Sequence, residues 1–538
     1  MNGRPSLERR VETGLVVLLI LGLLGWWSRD PQPFFMPNND YFSFDHLAKD
    51  IAAWRMPDNF KRMPVFPALM ALLHGFWPRA DQPYLSAALA LNLLFSAGFL
   101  WLVYRIAARV IGPGAALVAA GLAGAVQFQA LARQPLVDPS LGCFVALALW
   151  LRLRDSRWCW AAVGLALLSR LDTAVLIPLF LWDGLTAGIG PESRALRPTT
   201  VAEVGSGEGR QASRQRVSLV LRRDLPWVVL AAVPAAVWFL LGQRYGEAGS
   251  GYLDLMEGMG FTPAWRFPAV AFEQTFGGWL ERSWLWLLAP GVLLLLYGLM
   301  RCWRAERRGT VLLLGHYVLT VAAIVAFGIS KGRYAYAIQW TPLVFLARGS
   351  VDLGRELWRH LVSRGGGTVA RSLALIVVTA LVMLPAAVAA RGGLRLAAAE
   401  LDKVRFHNVE SYLLGAWVRD HLGPEDGLVT LATSQVEFVA TELPAERVVS
   451  FANLVPEGDD PALLAAAMRR RGITHAAYTY REQPRDSDGA YYHRLYNVPL
   501  AERFAEGAAV PGFRHLARLP VPAELEHADV QIYELDPP

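Results

Sequence analysis

The sequence has few charged residues and few cysteines. Asp, Glu, Lys and Arg make up only 18% of its 538 residues, whereas a typical soluble protein carries about 25%. The three cysteines, Cys143, Cys159 and Cys302, lie within or beside apolar segments and show no metal-ligand spacing. The first shortage argues against a soluble protein, and the second argues against a disulfide framework.

The basic residues lack the arrangement that nucleic-acid-binding proteins use. The net charge is +6 and almost all of the basic excess is arginine, but no basic stripe with interleaved aromatic residues occurs outside the apolar regions. We therefore expect no nucleic-acid partner. In a membrane protein such arginines report topology, because cytoplasmic loops retain Lys and Arg.

Apolar segments, by contrast, are long and recur along the chain. Hydrophobic residues make up 54% of the sequence, the mean hydropathy is +0.30, and about 20 apolar residues cross a bilayer. We predict an α-helical, polytopic membrane protein with about eleven transmembrane helices. Their predicted ranges are 11–27, 84–104, 114–131, 139–151, 158–169, 173–185, 226–241, 281–300, 310–329, 334–347 and 373–390.

Arginine clusters follow alternate segments, which indicates cytoplasmic loops. This alternation places the N-terminus in the cytoplasm and everything after Arg391 outside the cell membrane, which would be an inner or plasma membrane. The stretch 186–224 is polar, Arg-rich and rich in Gly and Ser, so it is predicted to be a flexible cytoplasmic linker. Two other large loops, 28–83 and 242–280, then fall on the outer face.

Composition changes after Arg391, which predicts two domains. Residues 1–390 would form the transmembrane domain, and residues 391–538 a small extracytoplasmic α/β domain, because strand-like and helical patterns alternate there. The strands are predicted at 427–432, 473–480 and 530–535, and the helices at 408–421 and 460–471.

The first outer loop carries the most informative residues. Its helical spacing at 44–54 and 65–77 predicts amphipathic helices on the membrane surface. Asp40 could accept a proton from a hydroxyl group as a general base, although Asp is also a common helix cap. Arg62, within Lys61-Arg-Met-Pro-Val-Phe-Pro67, matches phosphate bidentately, although a basic residue here could also be a snorkelling interfacial charge.

Three charged residues lie farther along the chain on the predicted outer face. Asp138 precedes Pro139, so it is either a functional acid or a helix N-cap, and both interpretations can hold together. Arg170 and Asp172 lie at the turn between the fifth and sixth segments. They are predicted to form a structural salt bridge.

A second basic cluster follows the ninth segment. It consists of Lys331, Arg333 and Tyr334 at the predicted outer mouth of the ninth and tenth segments. Two basic clusters on one membrane face, this one and Arg62, could hold an anionic lipid head group from two sides.

Taken in order, four short motifs make the sequence resemble the GT-C superfamily of membrane glycosyltransferases. It looks most like the type that includes protein O-mannosyltransferases and the lipid A aminoarabinose transferase. The motifs are the Asp–aromatic–Ala pattern at 40–48, the basic Pro-x-x-Pro element at 61–67, Val137-Asp138 before the fourth segment, and the Arg-Tyr…Pro motif at 332–342. The resemblance covers residues 10–350, and the C-terminal region matches only in type and in side of the membrane.

This resemblance implies a glycosyltransferase with an inverting mechanism. The donor would be a polyprenyl-phosphate-linked sugar, and the acceptor a hydroxyl group of a lipid, glycan or protein at the outer face of the membrane. Asp40 maps onto the catalytic base and Asp138 onto a second functional acid, but Asp45 in the same loop leaves the base open between Asp40 and Asp45. The implied lipid-phosphate-binding residues are Arg62, Lys61, Arg333, Tyr334 and Lys331.

The cofactor and one alternative function stay open at this point. No convincing ligand set for a metal is found in the sequence, so no cofactor is assigned and a divalent metal ion is left open. A lipid-linked sugar flippase or transporter without catalysis is the alternative. Transporters carry charges at mid-membrane sites and often show internal repeats, whereas here the charges cluster at the outer face and no clear repeat is found.

Overall fold

The computed structural model describes most of the chain, which packs as two compact units. The described residues are 7–27, 39–57, 60, 62–77, 82–132, 135–187, 207–245, 288–326, 336–363, isolated positions between 369 and 398, 409–431, 433–440, 443–479, 497–505, 507, 509–521 and 529–537. The first unit comprises Met1–Asp30, Ser43–Met256 and Gly260–Ala399, and the second comprises Pro31–Phe42, Glu257–Met259 and Glu400–Pro538.

The described part of the chain up to residue 363 is helical. The α-helices are α1 Leu7–Trp27, α2 Asn39–Ala52, α3 Val65–Leu73, α4 Pro83–Val110, α5 Pro113–Ala132, α6 Asp138–Leu153, α7 Cys159–Leu167, α8 Leu176–Ala187, α9 Gly207–Tyr245, α10 Leu288–Ala305, α11 Arg307–Ala326 and α12 Tyr336–Ser363. One 3-10 helix, His74–Phe76, follows α3, and another, Leu171–Val175, precedes α8.

Within the described ranges, three helices are long and apolar enough to cross a membrane. They are Pro83–Val110, Val217–Tyr245 within α9, and Arg307–Ala326, which coincide with the second, seventh and ninth predicted segments. A mostly helical membrane protein is therefore confirmed. The helices α1, α5, α6, α10 and α12 overlap other predicted segments, most of 373–390 lies outside the described residues, and the total of about eleven stays a prediction.

Small residues allow the helices of the first unit to pack closely. The helix α4 packs along α5 and α6, and α12 packs along α10 and α5. A Cβ atom on Gly298 of α10 would collide with the carbonyl oxygen of Phe345, and one on Gly349 of α12 with that of Leu294. Glycines at these two positions therefore let the backbones of α10 and α12 meet, as small residues do between membrane helices.

The predicted linker over 186–224 is partly wrong, because α9 already begins at Gly207. Arg, which is frequent there, is a good helix former, and so are Gln and Leu. The helix is also anchored by a buried ion pair, in which Asp224 accepts from Arg152 with an Nη1–Oδ2 distance of 3.4 Å. Composition alone hides such a helix, since its polar residues resemble those of a loop. The remainder of the predicted linker, 188–206, lies outside the described residues.

The second unit contains a mixed β-sheet. Its described elements are α13 Val409–His421, β1 Leu428–Thr430, α14 Thr433–Val439, β2 Val448–Val449, α15 Phe451–Leu454, α16 Pro461–Arg471, β3 His475–Tyr478, α17 Val498–Glu502, β4 Phe513–Leu519 and β5 Val530–Leu535. The strand order is β2-β1-β3-β5-β4, with β2, β1 and β3 parallel and β5 antiparallel to both β3 and β4. Two clusters of buried apolar residues form its core.

Several elements of this unit agree with the sequence patterns. The strands β1, β3 and β5 lie inside the predicted strands, and α13 and α16 agree with the predicted helices to within one residue. The ends of α16 are set by Asp460, which accepts from the backbone N–H of Ala462 at 2.9 Å, and by Gly472, whose φ is 66°. The strand β4 was not predicted, because exposed and charged residues mask its alternation. The location of this unit outside the membrane stays a prediction.

Candidate active site

The two carboxylates proposed as the catalytic base lie on the same helix, in different surroundings. Asp40 is half-buried in the first turn of α2, where the positive end of the helix dipole stabilises a carboxylate. Asp45 is 6% exposed and accepts from Lys49, with a 2.7 Å distance between Nζ and Oδ2. The carboxylate of Asp45 is therefore already bound by a cation of its own helix.

Arg62 is held by contacts of both its side chain and its main chain. The half-buried guanidinium lies 5.4 Å from the ring centroid of Phe44, and this ring packs edge-on against Phe66 at 5.5 Å. The carbonyl oxygen of Arg62 accepts from Nε1 of Trp238 at 3.1 Å. The position of Arg62 is thus fixed by α2 on one side and by α9 on the other.

Asp138 is part of a buried ion cluster. It is 7% exposed, and Nη1 of Arg170 lies 3.3 Å from its Oδ1. The same guanidinium donates from Nε to Oδ1 of Asp172 at 3.1 Å and from Nη2 to Oδ2 of Asp172 at 2.5 Å. The predicted salt bridge between Arg170 and Asp172 is confirmed, but the sequence did not predict that Asp138 shares it.

The interpretation of Asp138 as a helix cap is wrong. The helix α6 begins at Asp138 itself, and the residue in the cap position is Val137, whose side chain makes no capping bond. Pro139 occupies the second position of the helix, where a missing N–H costs nothing. The carboxylate of Asp138 is bound by Arg170.

A backbone hydrogen bond joins the Arg62 segment to the Asp138 cluster. The N–H of Val65, at the start of α3, donates to the carbonyl oxygen of Leu168 at 3.2 Å. Leu168 lies two residues before Arg170, so the segment that carries Arg62 is tied to the turn that carries Arg170. The structure thus brings the predicted phosphate ligand and the predicted second acid into one connected region of the first unit.

Other predicted site residues are not brought together by the described structure. Lys61, Lys331, Arg333 and Tyr334 lie outside the described residues, so the second basic cluster stays a prediction. Asp40 groups with the second unit, and the next two residues, Tyr41 and Phe42, pack edge-on against Phe438 at 6.4 and 5.7 Å. Its predicted convergence with Arg62 and Asp138 also stays a prediction.

The described residues do not offer a ligand set for a metal ion. Among them, no group of three or more His, Cys, Asp or Glu side chains could hold one. Asp138 shares the guanidinium of Arg170 with Asp172. No described residue is therefore assigned as a metal ligand.

A second buried ion cluster, which the sequence did not reveal, lies at the other end of α6. Arg152 is 1% exposed and donates from Nε to Asp183 at 2.8 Å and from Nη1 to Asp224 at 3.4 Å. Asp183 also accepts from Nε of Arg308 at 2.9 Å. This cluster joins α6, α8, α9 and α11. Two of its members, Arg152 and Arg308, are 156 positions apart in the sequence.

The similarity of this chain to known proteins lies in its fold. No protein-family model matches the sequence, and no curated protein matches it. The fold, however, is similar to those of solved structures that include an oligosaccharyltransferase, in agreement with the resemblance indicated by the motifs.

Three solved structures show this similarity. An oligosaccharyltransferase from Archaeoglobus fulgidus, in complex with Zn and sulfate, matches with a TM-score of 0.58 and 13% identity over 95% of this chain and 79% of that chain. AglB from the same organism, in complex with an inhibitory peptide and a dolichol-phosphate, matches with a TM-score of 0.53 and 13% identity over 93% and 73%. ArnT from Cupriavidus metallidurans in the apo state matches with a TM-score of 0.52 and 15% identity over 98% and 99%. Identities this low establish the fold alone.

Proposed function

We propose that this protein transfers a sugar from a polyprenyl-phosphate-linked donor to a hydroxyl group of a lipid, glycan or protein at the outer face of the cell membrane. One observation carries this proposal. The Arg62 segment and the buried cluster of Asp138, Arg170 and Asp172 are tied together by the bond between Val65 and Leu168. The fold in which they lie is shared with AglB, whose structure contains a dolichol-phosphate.

The reaction that fits these residues is a single inverting displacement. Asp40 accepts the proton of the acceptor hydroxyl, whose oxygen attacks the anomeric carbon of the sugar. The bond between that carbon and the phosphate oxygen breaks, and the polyprenyl phosphate leaves with the electron pair. Arg62 stabilises the negative charge that develops on the phosphate, and Arg333 is proposed to share this role.

Asp40 suits the role of base better than Asp45 does. Asp45 is buried, 6% exposed, so it is less accessible to a substrate hydroxyl. Asp40 is half-buried at the start of α2. For Asp138, we propose that Arg170 fixes the carboxylate in place, so that it can accept a hydrogen bond from a hydroxyl group of the substrate.

The test measures the release of polyprenyl phosphate. Purified protein in vesicles is incubated with polyprenyl-phosphate sugar and a membrane lipid extract as acceptor, and free polyprenyl phosphate is quantified. Because a general base contributes about 10²–10⁴-fold, Asp40→Asn should slow release by that factor while the protein stays folded and inserted. Asp45→Asn, the matched control on the same helix, should retain most of the activity.

Three outcomes would overturn the proposal or a part of it. Full activity of Asp40→Asn would remove Asp40 from the mechanism, and a loss confined to Asp45→Asn would transfer the role of base to Asp45. Movement of the intact donor across the bilayer without release of polyprenyl phosphate would instead identify a lipid-linked sugar transporter.

A further inference from the structure

Two neighbouring helices carry the same five-residue pattern near their carboxyl ends. The helix α4 contains Trp101-Leu-Val-Tyr-Arg105, and α6 with its last turn contains Trp150-Leu-Arg-Leu-Arg154. Side chains four residues apart lie on the same face of a helix, so each Trp can contact the Arg that follows it. Because α4 and α6 pack along each other, the two pairs come together.

The rings and guanidinium groups of the two pairs are in contact. The guanidinium of Arg105 lies 5.7 Å from the ring centroid of Trp101 and 5.9 Å from that of Trp150. That of Arg154 lies 4.8 Å from the centroid of Trp150, so one indole contacts both cations. A guanidinium attracted to a ring face is held in place, while its N–H groups, which lie in its own plane, can still donate to another partner.

The two guanidinium groups are exposed and lack a carboxylate partner. Among the described residues, no Asp or Glu lies within ion-pair distance of Arg105 or Arg154. The two Trp residues that contact these guanidinium groups are half-buried. Arg152, on the same turn of α6, points the other way and is fully bound in the buried cluster. Asp155, the nearest acid in sequence, is bound by Arg308 at 2.8 Å.

We propose that Trp101, Arg105, Trp150 and Arg154 form a binding site for the phosphate head group of an anionic phospholipid. Basic pockets between transmembrane helices bind such head groups, and the planar guanidinium fork matches phosphate oxygens bidentately. Trp is favoured at the interface between lipid and water. The site lies at the opposite end of α6 from Asp138, so it is separate from the proposed site of sugar transfer and does not depend on it.

A simpler explanation is that these arginines only set the membrane orientation. The chain offers a matched control for this alternative, because Arg109 of α4 and Arg157 after α6 are also exposed near the same helix ends. Neither of them contacts a ring or an acid among the described residues. Removing Arg109 and Arg157 changes the charge by the same amount as removing Arg105 and Arg154.

The experiment compares these pairs by the effect of lipid on thermal stability. The Tm of the purified full-length protein in neutral detergent is measured with added phosphatidylglycerol, which is anionic, and with phosphatidylcholine, which is not. Phosphatidylglycerol should raise the Tm of the wild type and of the Arg109→Ala/Arg157→Ala variant, because a ligand that binds the native state stabilises it. The Arg105→Ala/Arg154→Ala variant should lose this rise. Native mass spectrometry should show the same loss of retained phosphatidylglycerol.

An equal rise in Tm for the two double variants would overturn the proposal, and so would an equal loss in both. If the alanine variant at Arg105 and Arg154 does not fold, the Arg105→Lys/Arg154→Lys variant replaces it. It keeps the charge but lacks the guanidinium fork, so it should retain less phosphatidylglycerol than the wild type. Wild-type retention by this lysine variant would also contradict the proposed site.

Discussion

The two ends of α6 hold buried ion clusters that are similar in composition but different in surroundings. At the carboxyl end, Arg152 is bound by Asp183 and Asp224, and every partner lies on a helix. At the amino end, Asp138 is bound by Arg170, which lies in a turn that is hydrogen-bonded to the start of α3. The acidic partners of Arg152 thus lie on helices, whereas connecting segments border the cluster of Asp138.

This difference suggests a division of roles along one helix. Replacing a buried ion pair by apolar residues is often neutral, but removing one partner is strongly destabilising because it leaves a buried charge without compensation. Arg152, whose acidic partners lie on two other helices, therefore contributes mainly to holding these helices together. A cluster bordered by connecting segments can meet a ligand, since binding and catalytic residues are concentrated on such segments.

The largest effect is expected from Arg152→Met at the carboxyl end. The change leaves Asp224 buried without its main cation, which should cost about 3–5 kcal/mol of stability. The measurement is the fraction of monodisperse protein that survives heating in detergent. Arg157→Met, at an exposed position just after α6, serves as the control. Equal heat resistance of the two variants would show that the cluster does not hold the helices together.

Asp138→Asn at the amino end is expected to lower activity and to leave stability nearly unchanged. Asn has the same shape and still accepts from Arg170, which keeps Asp172 as its charged partner, so heat resistance should change little. If Asp138 supports the transition state, the release of polyprenyl phosphate should fall by about 10²–10³-fold, as for the loss of one positioned polar group. A variant that unfolds as readily as Arg152→Met would show that both ends of α6 are structural.

A smaller loss is expected from Arg62→Gln, which tests the connecting segment itself. A hydrogen bond to a charged group contributes about 1.5–3 kcal/mol, so release should slow by roughly ten- to hundredfold. Arg62→Lys keeps the charge and should lose less activity than Arg62→Gln. Heat resistance should be preserved, because the contact with Phe44 is worth only about 0.5–1 kcal/mol at a partly exposed site. An unchanged rate in Arg62→Gln would leave the Arg62 segment without a role in the reaction.

Some of these ion pairs can be predicted from the sequence and others cannot, for a physical reason. The ion pair of Arg170 and Asp172 is visible in the sequence because its members lie only two positions apart. The pairing of Asp138 with Arg170 spans 32 positions, and that of Arg152 with Asp224 spans 72. Apolar runs locate helices such as α4 and α11, but they do not tell which helices are neighbours. In a single sequence, an arginine that pairs with an acid on another helix therefore cannot be distinguished from an arginine that marks membrane topology.

A buried titratable group in the second unit, His475, differs from both clusters, since no guanidinium binds it among the described residues. Burial lowers the pKa of His475 from its ordinary value of 6.5, although Asp426 and Glu534 act in the opposite direction. The pKa of His475 is therefore lower in the folded state than in the unfolded state. At a pH above the unfolded-state pKa, the imidazole is neutral in both states and its burial costs no stability through protonation. The stability of the fold should decline as the pH falls below 6.5, until the folded state also takes up the proton.

This loss of stability at low pH is the smallest expected effect, and it should be confined to the sheet of the second unit. Hydrogen exchange of the amides of β3 and β5, corrected for the intrinsic exchange rate, should show less protection at about pH 5.5 than at about pH 7.5. His475→Gln removes the titrating group, so its protection should depend less on pH, whatever its stability at neutral pH. An identical pH dependence in wild type and variant would mean that another group titrates.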